Sequence, residues 1–158
     1  MKPKKTWTEK LKDSKGLPKV GLVEGKMTRK WGEGTMVIPA PLEVDAIMKQ
    51  PKAGQVLTIN EIRAGLARRH GVSVCCPITT GIFAWIAAHA AEEAAAAGRK
   101  AITPYWRTLK SEGELNAKYP GGIAALKRKL RAEGHQVVAK GKRWVVKDFA
   151  KVLVTAKT

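Results

Sequence analysis

A hydrophobic stripe at helical spacing is the clearest pattern in the chain, and it predicts a helix in VLTINEIRAGLARRHG. Ile62 and Leu66 lie four residues apart and so share one face of that helix. Thr58 or Asn60 can cap its start, and Gly71 follows its last polar residues as a stop signal. A shorter stripe just before it, in PAPLEVDAIMKQ, predicts another helix that begins near a proline.

Alanine dominates the next segment, VSVCCPITTGIFAWIAAHAAEEAAAAGRK, and predicts a long helix from about Thr80 to Ala97. Pro77, Thr79 and Thr80 are interpreted as the turn that precedes this helix. Two helices joined by a short turn have the outline of a helix-turn-helix. His89 in the long helix is interpreted as a surface or core histidine rather than a metal ligand.

The C-terminal part changes from a helical pattern to a strand pattern. An extended stretch, AITPYWRTL, and a turn-rich loop, KSEGELNAKYPGG, precede IAALKRKLRAEG, which predicts a third helix with Leu126 and Leu130 buried. Hydrophobic and polar residues then alternate on both sides of Lys140–Lys142, which predicts a β-hairpin with a basic tip. The order of elements indicates an α+β, mostly helical fold of winged-helix type over residues 41–158.

Residues 1–40 lack this regularity and predict a basic N-terminal arm or irregular cap. Trp7 and Trp31 are the only large aromatic residues in that stretch, so we expect them to pack the arm against the rest of the chain.

The charge balance suggests the partner. Thirty Lys and Arg residues face 13 Asp and Glu residues in a chain of 158, which gives a formal net charge of +17. Such a surplus is typical of proteins that bind nucleic acid or an anionic surface. No apolar run is long enough to span a bilayer, and the first residues lack the apolar centre of a secretory signal. We therefore expect double-stranded DNA as the partner, no membrane association, and a cytoplasmic, nucleoid-associated location.

The two cysteines do not suggest chemistry of their own. Cys75 and Cys76 are adjacent, which disfavours a disulfide between them. No further Cys or His stands at zinc-ligand spacing, so we predict neither a metal nor another cofactor.

Three segments in this order resemble the C-terminal domain of the alkylguanine-DNA alkyltransferases, the methylated-DNA repair proteins. PKAGQVLTINEIRAGLA is similar to the family's Pro-x-Gly-x-Val-Thr-Thr-Tyr-Gly-x-Ile-Ala opening, and TPYWRTL stands where the family has Pro-Cys-His-Arg-Val. The resemblance covers about Pro41 to His135. Its most specific part is the run GELNAKYPGGIAALKRKLRAEGH, where the residues at the family spacing are Tyr119, Gly121, Gly122, Lys127, Leu130, Glu133 and Gly134.

The resemblance implies that the former active-site loop consists of Pro104, Tyr105, Trp106 and Arg107. In the family a cysteine accepts the alkyl group, and a histidine activates it within a water–glutamate relay. Here Tyr105 stands at the cysteine position and Trp106 at the histidine position. A phenol with a pKa of about 10 and no adjacent base is a poor nucleophile, and an indole is not a base. The sequence therefore predicts no alkyl transfer and no other enzymatic activity.

The same resemblance implies that a remnant of the pocket and relay survives in Tyr119, Gly121, Gly122 and Glu133. Two alternatives stay open for Tyr105 and Trp106: they stack on a base, or they fill the former pocket. Arg107 likewise contacts either phosphate and backbone groups or a structural ion-pair partner.

Alkyltransferase-like proteins in this family also lack the nucleophile, carry Pro-Trp-His-Arg, bind alkylated DNA and pass the lesion to another repair system. The leading hypothesis is thus a non-catalytic DNA-binding protein that recognises alkylated guanine and signals to a nucleotide-excision repair protein. The alternative is a sequence-tolerant nucleoid or regulatory protein without lesion recognition. Two family side chains are missing, because Gly81 and its neighbours replace the arginine that enters the base stack, and Ile59 replaces the tyrosine that rotates a phosphate.

Candidate DNA contacts come from the starts of the two central helices, the third helix and the hairpin tip. They are Thr58, Asn60, Thr79, Thr80, Gly81, Lys127, Arg128, Arg131, Lys140, Lys142 and Arg143. The lysines and arginines among them are expected to contact phosphates, with each neutralised phosphate adding about one unit to the salt dependence of binding. The sequence predicts no oligomeric state.

Overall fold

The computed structural model describes residues 4–23 and 34–158, and these are mostly helical with three small sheets. The α-helices are α1 (Trp7–Lys12), α2 (Pro41–Met48), α3 (Ile59–His70), α4 (Pro77–Ala96) and α5 (Gly122–Ala132). The strands are β1 (Lys19–Leu22), β2 (Thr35–Ile38), β3 (Leu57–Thr58), β4 (Val74–Cys75), β5 (Thr108–Leu109), β6 (Val137–Lys140) and β7 (Arg143–Val146). Short 3-10 turns occur at Tyr105–Arg107, Ser111–Gly113 and Phe149–Lys151. The predicted α+β, mostly helical class is confirmed.

Helix α3 begins and ends at the residues that the sequence indicated. The Thr58 hydroxyl accepts a hydrogen bond from the Glu61 backbone N–H at 3.4 Å, which caps the N-terminus. Gly71 ends the helix in the left-handed region with φ of 64°, a conformation that costs glycine little. Glu43 of α2 then accepts from His70 at 2.7 Å, which ties the start of α2 to the end of α3.

Helix α4 starts earlier than predicted, at Pro77 rather than near Thr80. The interpretation of Pro77, Thr79 and Thr80 as a turn was wrong, because proline suits the first helical position, where no backbone N–H is needed. The turn between α3 and α4 is instead formed by Gly71 to Cys76, which includes β4.

The segment before Pro41 is more regular than the predicted irregular cap. Its described residues form α1, β1 and β2, and β2 pairs with β1 antiparallel and with β4 parallel. The arm is therefore joined to the α3–α4 turn by a sheet. Trp7 packs against the core as expected, whereas Trp31 lies outside the described residues.

Helix α4 lies at the centre of the core, since α1, α2 and α3 all pack against it. Its inward face is formed mainly by Phe83, Ile86 and several alanines, all at most 6% exposed. Alanine at these positions allows the neighbouring helices to approach closely.

The C-terminal residues cross back over the central helices. Val56 accepts from the Val154 backbone N–H and donates to the Val152 carbonyl, each at 2.9 Å. Ala156 lies against Gly65 of α3, where an added Cβ would come within 2.6 Å of the Ala156 methyl group. This close approach explains why α3 carries a glycine in mid-helix despite its cost of about 1 kcal/mol.

The predicted stretch AITPYWRTL is not extended throughout. Tyr105–Arg107 form a 3-10 turn, and only Thr108 and Leu109 form a strand, β5, which pairs in parallel with β3. This pairing places the turn beside the start of α3. The third helix and the hairpin β6–β7 lie where they were predicted.

Candidate nucleic-acid interface

Tyr105, which the motif resemblance assigns to the acceptor position, is buried. Its side chain is 1% exposed, and its rings meet those of Trp106 and Tyr119 edge to face at 5.3 and 6.0 Å. The phenol donates a hydrogen bond to Glu92 Oε1 of α4 at 2.6 Å. Burial raises the pKa of Tyr105 above its ordinary value, and the hydrogen bond to the Glu92 carboxylate raises it further. The phenol therefore stays protonated, and its side chain is packed inside the fold rather than presented at the surface.

Arg107 and Glu133 form a largely buried ion pair beneath Trp106. Glu133 accepts from Arg107 Nε at 2.9 Å and Nη2 at 2.5 Å, and from Trp106 Nε1 at 3.1 Å. Arg107 Nη1 also donates to the Pro51 carbonyl at 2.8 Å. Burial acts to raise the pKa of Glu133, but the hydrogen bonds from Arg107 and Trp106 hold it below its ordinary value. Arg107 thus has a structural ion-pair partner, and the Glu133 carboxylate is committed to that pair.

The remaining residues of the predicted remnant shape the turn into α5. Tyr119 is 4% exposed and packs on Tyr105, and burial raises the pKa of its phenol. Gly121 has φ of 79°, and an added Cβ would collide with the Ala125 side chain. Gly122 follows with φ of 64° as the first residue of α5. Tyr105, Trp106, Arg107 and this turn together form what we call the sealed corner.

The polar residues predicted at the starts of α3 and α4 divide into buried and surface positions. Thr58 and Thr80 are 4% and 0% exposed, with the Thr58 hydroxyl capping α3 and the Thr80 hydroxyl bonded to a backbone carbonyl at 2.6 Å. Neither side chain reaches the surface, so their predicted DNA contacts are not supported. Asn60 is exposed, while Thr79 and Gly81 are half-buried.

A groove runs along the outer side of α4, and the sequence analysis did not identify it. Its volume is about 670 Å³. It is lined by Ile78, Gly81, Ile82, Trp85 and His89 of α4 and by Asn116 and Lys118 of the loop before α5. Ile78 and Ile82 are 60% and 46% exposed, which is unusual for large apolar side chains in adjacent turns of one helix. We call this feature the α4 groove.

The spacing of these residues was available in the sequence. Ile78, Ile82, Trp85 and His89 follow one another at intervals of three and four residues, which is the spacing of one helical face. In a helix this apolar, however, either face can be the buried one, and Phe83 and Ile86 proved to face the core.

The arm helix α1 packs beside the groove through Trp7. Its ring stacks on His89 at 4.4 Å with an interplanar angle of 21°, and it meets Trp85 edge to face at 4.8 Å. His89 and Trp85 are themselves 5.2 Å apart between ring centroids. His89 is therefore part of an aromatic cluster with Trp7 and Trp85.

Two lysines of α5 lie over tryptophan rings. Lys127 Nζ is 3.7 Å from the ring centroid of Trp144, and Lys129 Nζ is 4.8 Å from that of Trp106. These cation–π contacts keep the charges at the surface while their stems cover the rings.

The other predicted phosphate contacts differ in how firmly they are held. Arg131 donates to the Val137 carbonyl at 3.2 Å, and Arg143 pairs with the exposed Glu112 at 3.3 Å. Arg128, Lys140 and Lys142 are exposed on α5 and the hairpin tip. Contact of these side chains with DNA stays a prediction.

The two cysteines, a possible metal site and a possible membrane span remain to be described. Cys75 and Cys76 are 1% and 6% exposed, and burial raises the pKa of the Cys75 thiol, which disfavours a reactive thiolate. Among residues 4–23 and 34–158, no three His, Cys, Asp or Glu side chains are grouped as a metal site. None of the helices in these ranges combines the length and the apolar character of a membrane span.

A solved structure with the same fold is that of S. pombe Atl1, an alkyltransferase-like protein, in complex with damaged DNA containing O6-carboxymethylguanine. The match has a TM-score of 0.51 and covers 73% of this chain and 94% of that chain. This chain has the alkyltransferase-like fold. Sequence identity in the match is 17%, and neither a protein-family model nor a curated protein matches the chain. The resemblance inferred from the motifs is thereby confirmed for the fold.

Proposed function

We propose that the protein is a non-catalytic DNA-binding protein that receives an alkylated guanine, turned out of the duplex, in the α4 groove. The observation that carries this proposal is the contrast between an open groove and a filled acceptor position on one fold. S. pombe Atl1, which shares the fold, was solved with damaged DNA.

The absence of alkyl transfer follows from the state of the side chains at the acceptor position. The Tyr105 phenol is buried and protonated, and it donates a hydrogen bond to Glu92. Glu133 is neutralised by Arg107 and so has no role as a base. A nucleophile needs both access to the alkyl carbon and an activated, deprotonated atom. Tyr105 is buried, and its raised pKa keeps the phenol protonated even though Glu92 accepts its hydrogen bond.

The α4 groove has the size and lining that a nucleobase requires. Its volume of about 670 Å³ falls within the range of about 300–1,000 Å³ that is usual for small-molecule sites. Trp85 offers an aromatic surface for stacking, and Asn116 offers an amide that can hydrogen-bond a base edge. Lys118 adds a positive charge for a nearby phosphate.

Extrusion of a base also requires a side chain that fills the gap in the stack. Gly81 has no side chain to offer, but the exposed Ile78 lies about one turn before it and the exposed Ile82 directly follows it. Exposed isoleucines of this kind serve as wedges in proteins that unstack base steps. We propose that one of these two isoleucines takes that role.

Binding to plain duplex without lesion recognition is the second candidate. It is favoured by the positive charge spread over α1, α5 and the hairpin, because such charge contacts any phosphate backbone equally. Under this alternative the α4 groove contacts the duplex surface and receives no base.

A fluorescence-anisotropy titration at two salt concentrations separates the two candidates. It compares a plain duplex with one that carries a single O6-alkylguanine, for the wild type, Trp85→Leu and the control Trp144→Leu, which changes a tryptophan outside the groove. Under the proposal, the wild type binds the lesion more tightly, and Trp85→Leu alone removes that preference. Equal binding of both duplexes would refute lesion recognition, and no binding of either would refute the DNA-binding proposal as a whole.

A further inference from the structure

We infer that the N-terminal arm supports the α4 groove, with Trp7 as a positioning residue that holds the Trp85 and His89 side chains in place. This inference rests on the proposed function, because it assigns the arm a role in holding the base. The inference goes beyond the proposed function because it makes lesion recognition depend on residues outside the domain that carries the motif resemblance.

The Glu93 carboxylate of α4 binds the first turn of the arm helix α1. Glu93 accepts hydrogen bonds from the backbone N–H groups of Trp7 and Thr8 at 3.0 and 3.1 Å, and from the Thr8 hydroxyl at 2.7 Å. These three donors lower the pKa of Glu93, and the Thr8 hydroxyl has the largest effect. The carboxylate is therefore charged at neutral pH. Leu11 adds an apolar contact at 9% exposure. The first turn of α1 is thus held in one position.

The attachment point and the groove lie on the same side of α4. Trp85, His89 and Glu93 follow at intervals of four residues, so their side chains project in a line along the helix. Two of the three line the groove, and the third binds the arm. A change in how the arm docks on Glu93 therefore alters the surroundings of His89, which lies one helical turn away.

Trp7 supports both groove residues without lining the groove. One side of its ring stacks on His89 at 4.4 Å, its edge contact with Trp85 is at 4.8 Å, and Lys10 lies over the ring at 4.4 Å. Removing this indole would leave Trp85 and His89 with open space behind them. Each side chain would gain rotamers. The binding of a base that stacks on Trp85 would then include the entropy cost of ordering this side chain.

The coupling has a reciprocal consequence. If a docked arm strengthens base binding, a bound base must strengthen arm docking by the same free energy. The amides of Trp7 and Thr8, which donate to Glu93, report docking directly. Their hydrogen exchange should slow when lesion duplex is added and change little with the same concentration of bound plain duplex.

The test compares Trp7→Ala, Trp7→Phe and the control Lys5→Ala, which breaks the exposed Lys5–Asp13 ion pair of the same arm. For Trp7→Ala we expect the preference for lesion over plain duplex to fall about fivefold to tenfold, as loss of aromatic contacts implies. Affinity for plain duplex should stay within about twofold, since phosphate contacts dominate it. Trp7→Phe should retain most of the preference, and Lys5→Ala all of it.

The outcomes distinguish this inference from the proposed function. If the wild type prefers the lesion and Trp7→Ala keeps that preference, the arm has no positioning role while the proposed function stands. If the wild type shows no preference, the proposed function fails and the inference fails with it. Unchanged hydrogen exchange at Trp7 and Thr8 on lesion binding would also overturn the coupling.

Discussion

The sealed corner and the α4 groove lie on one small domain and differ in nearly every physical respect. In the corner, Tyr105 is 1% exposed and every polar group of the Arg107–Glu133 pair has a partner at hydrogen-bond distance. In the groove, Ile78 and Ile82 are 60% and 46% exposed. The corner holds residues at the family spacing, whereas none of the residues that line the groove is among them. A motif can thus persist because its residues hold the fold, while the surface fit for binding lies beside it.

The largest effect should follow from breaking the ion pair in the sealed corner. Arg107→Ala leaves Glu133 partly buried without its cation, and we expect it to lower the free energy of unfolding by about 3–5 kcal/mol. Chemical denaturation monitors the loss. Arg143→Ala is the matched control, because its exposed pair with Glu112 is expected to contribute only about 0–1 kcal/mol. Similar losses for the two variants would contradict the structural role given to the corner.

The groove should show a different balance, with a clear effect on lesion binding and a smaller effect on stability that comes from the lost Trp85–Trp7 contact. For Trp85→Leu we expect loss of about 1–3 kcal/mol of lesion-binding free energy, as for removal of a stacked aromatic. Anisotropy with lesion duplex measures the loss, and thermal unfolding checks the fold. Ile82→Asn should add a smaller loss on the lesion duplex if this residue is the wedge. Unchanged lesion affinity in both variants would move base binding away from the groove.

Acid should weaken the ion pair of the sealed corner. The pKa of Glu133 is lower in the folded protein than in the unfolded chain, so its contribution to stability is complete above the unfolded value of about 4.5. That contribution is lost as the pH falls through the folded value. Denaturation midpoints between pH 6 and about 3 should therefore fall more steeply for the wild type than for Glu133→Gln. Parallel curves would indicate that the pair does not stabilise the fold.

The smallest predicted effect concerns charge alone. Replacing both Lys140 and Lys142 with alanine should lower the salt slope of binding by roughly two units and reduce the affinities for plain and lesion duplex equally. The control is Lys19→Ala on β1, away from α5 and the hairpin. A change that is confined to the lesion duplex would place the hairpin tip at the groove instead.

The elements that were predicted correctly are those with local signals. Thr58 and Gly71 mark the ends of α3, Gly121 precedes α5, and Gly141 stands at the hairpin tip. The arm was misjudged because β1 and β2 are only four residues long, and β2 pairs with β4 almost 40 residues away. No local sequence pattern predicts a pairing between strands so far apart in the chain.

The candidate site was predicted least well, for a related reason. The burial of Tyr105 involves Glu92, which reaches its phenol from another element, and the sequence left the placement of this side chain open. The groove depends on which side of α4 meets the core, and an alanine-rich helix leaves that undecided. The docking of Trp7 on His89 joins positions 82 residues apart and leaves no trace in either segment.

The crossing of the C-terminal residues over the centre of the domain affects how the chain folds during synthesis. Val56 pairs with Leu153, and Gly65 packs on Ala156, so contacts of the middle of the chain are completed by residues that are synthesised much later. Contacts of such long sequence separation slow folding. Until they form, Val56 and the open side of α3 lie exposed in the nascent protein, where chaperones and proteases find their substrates.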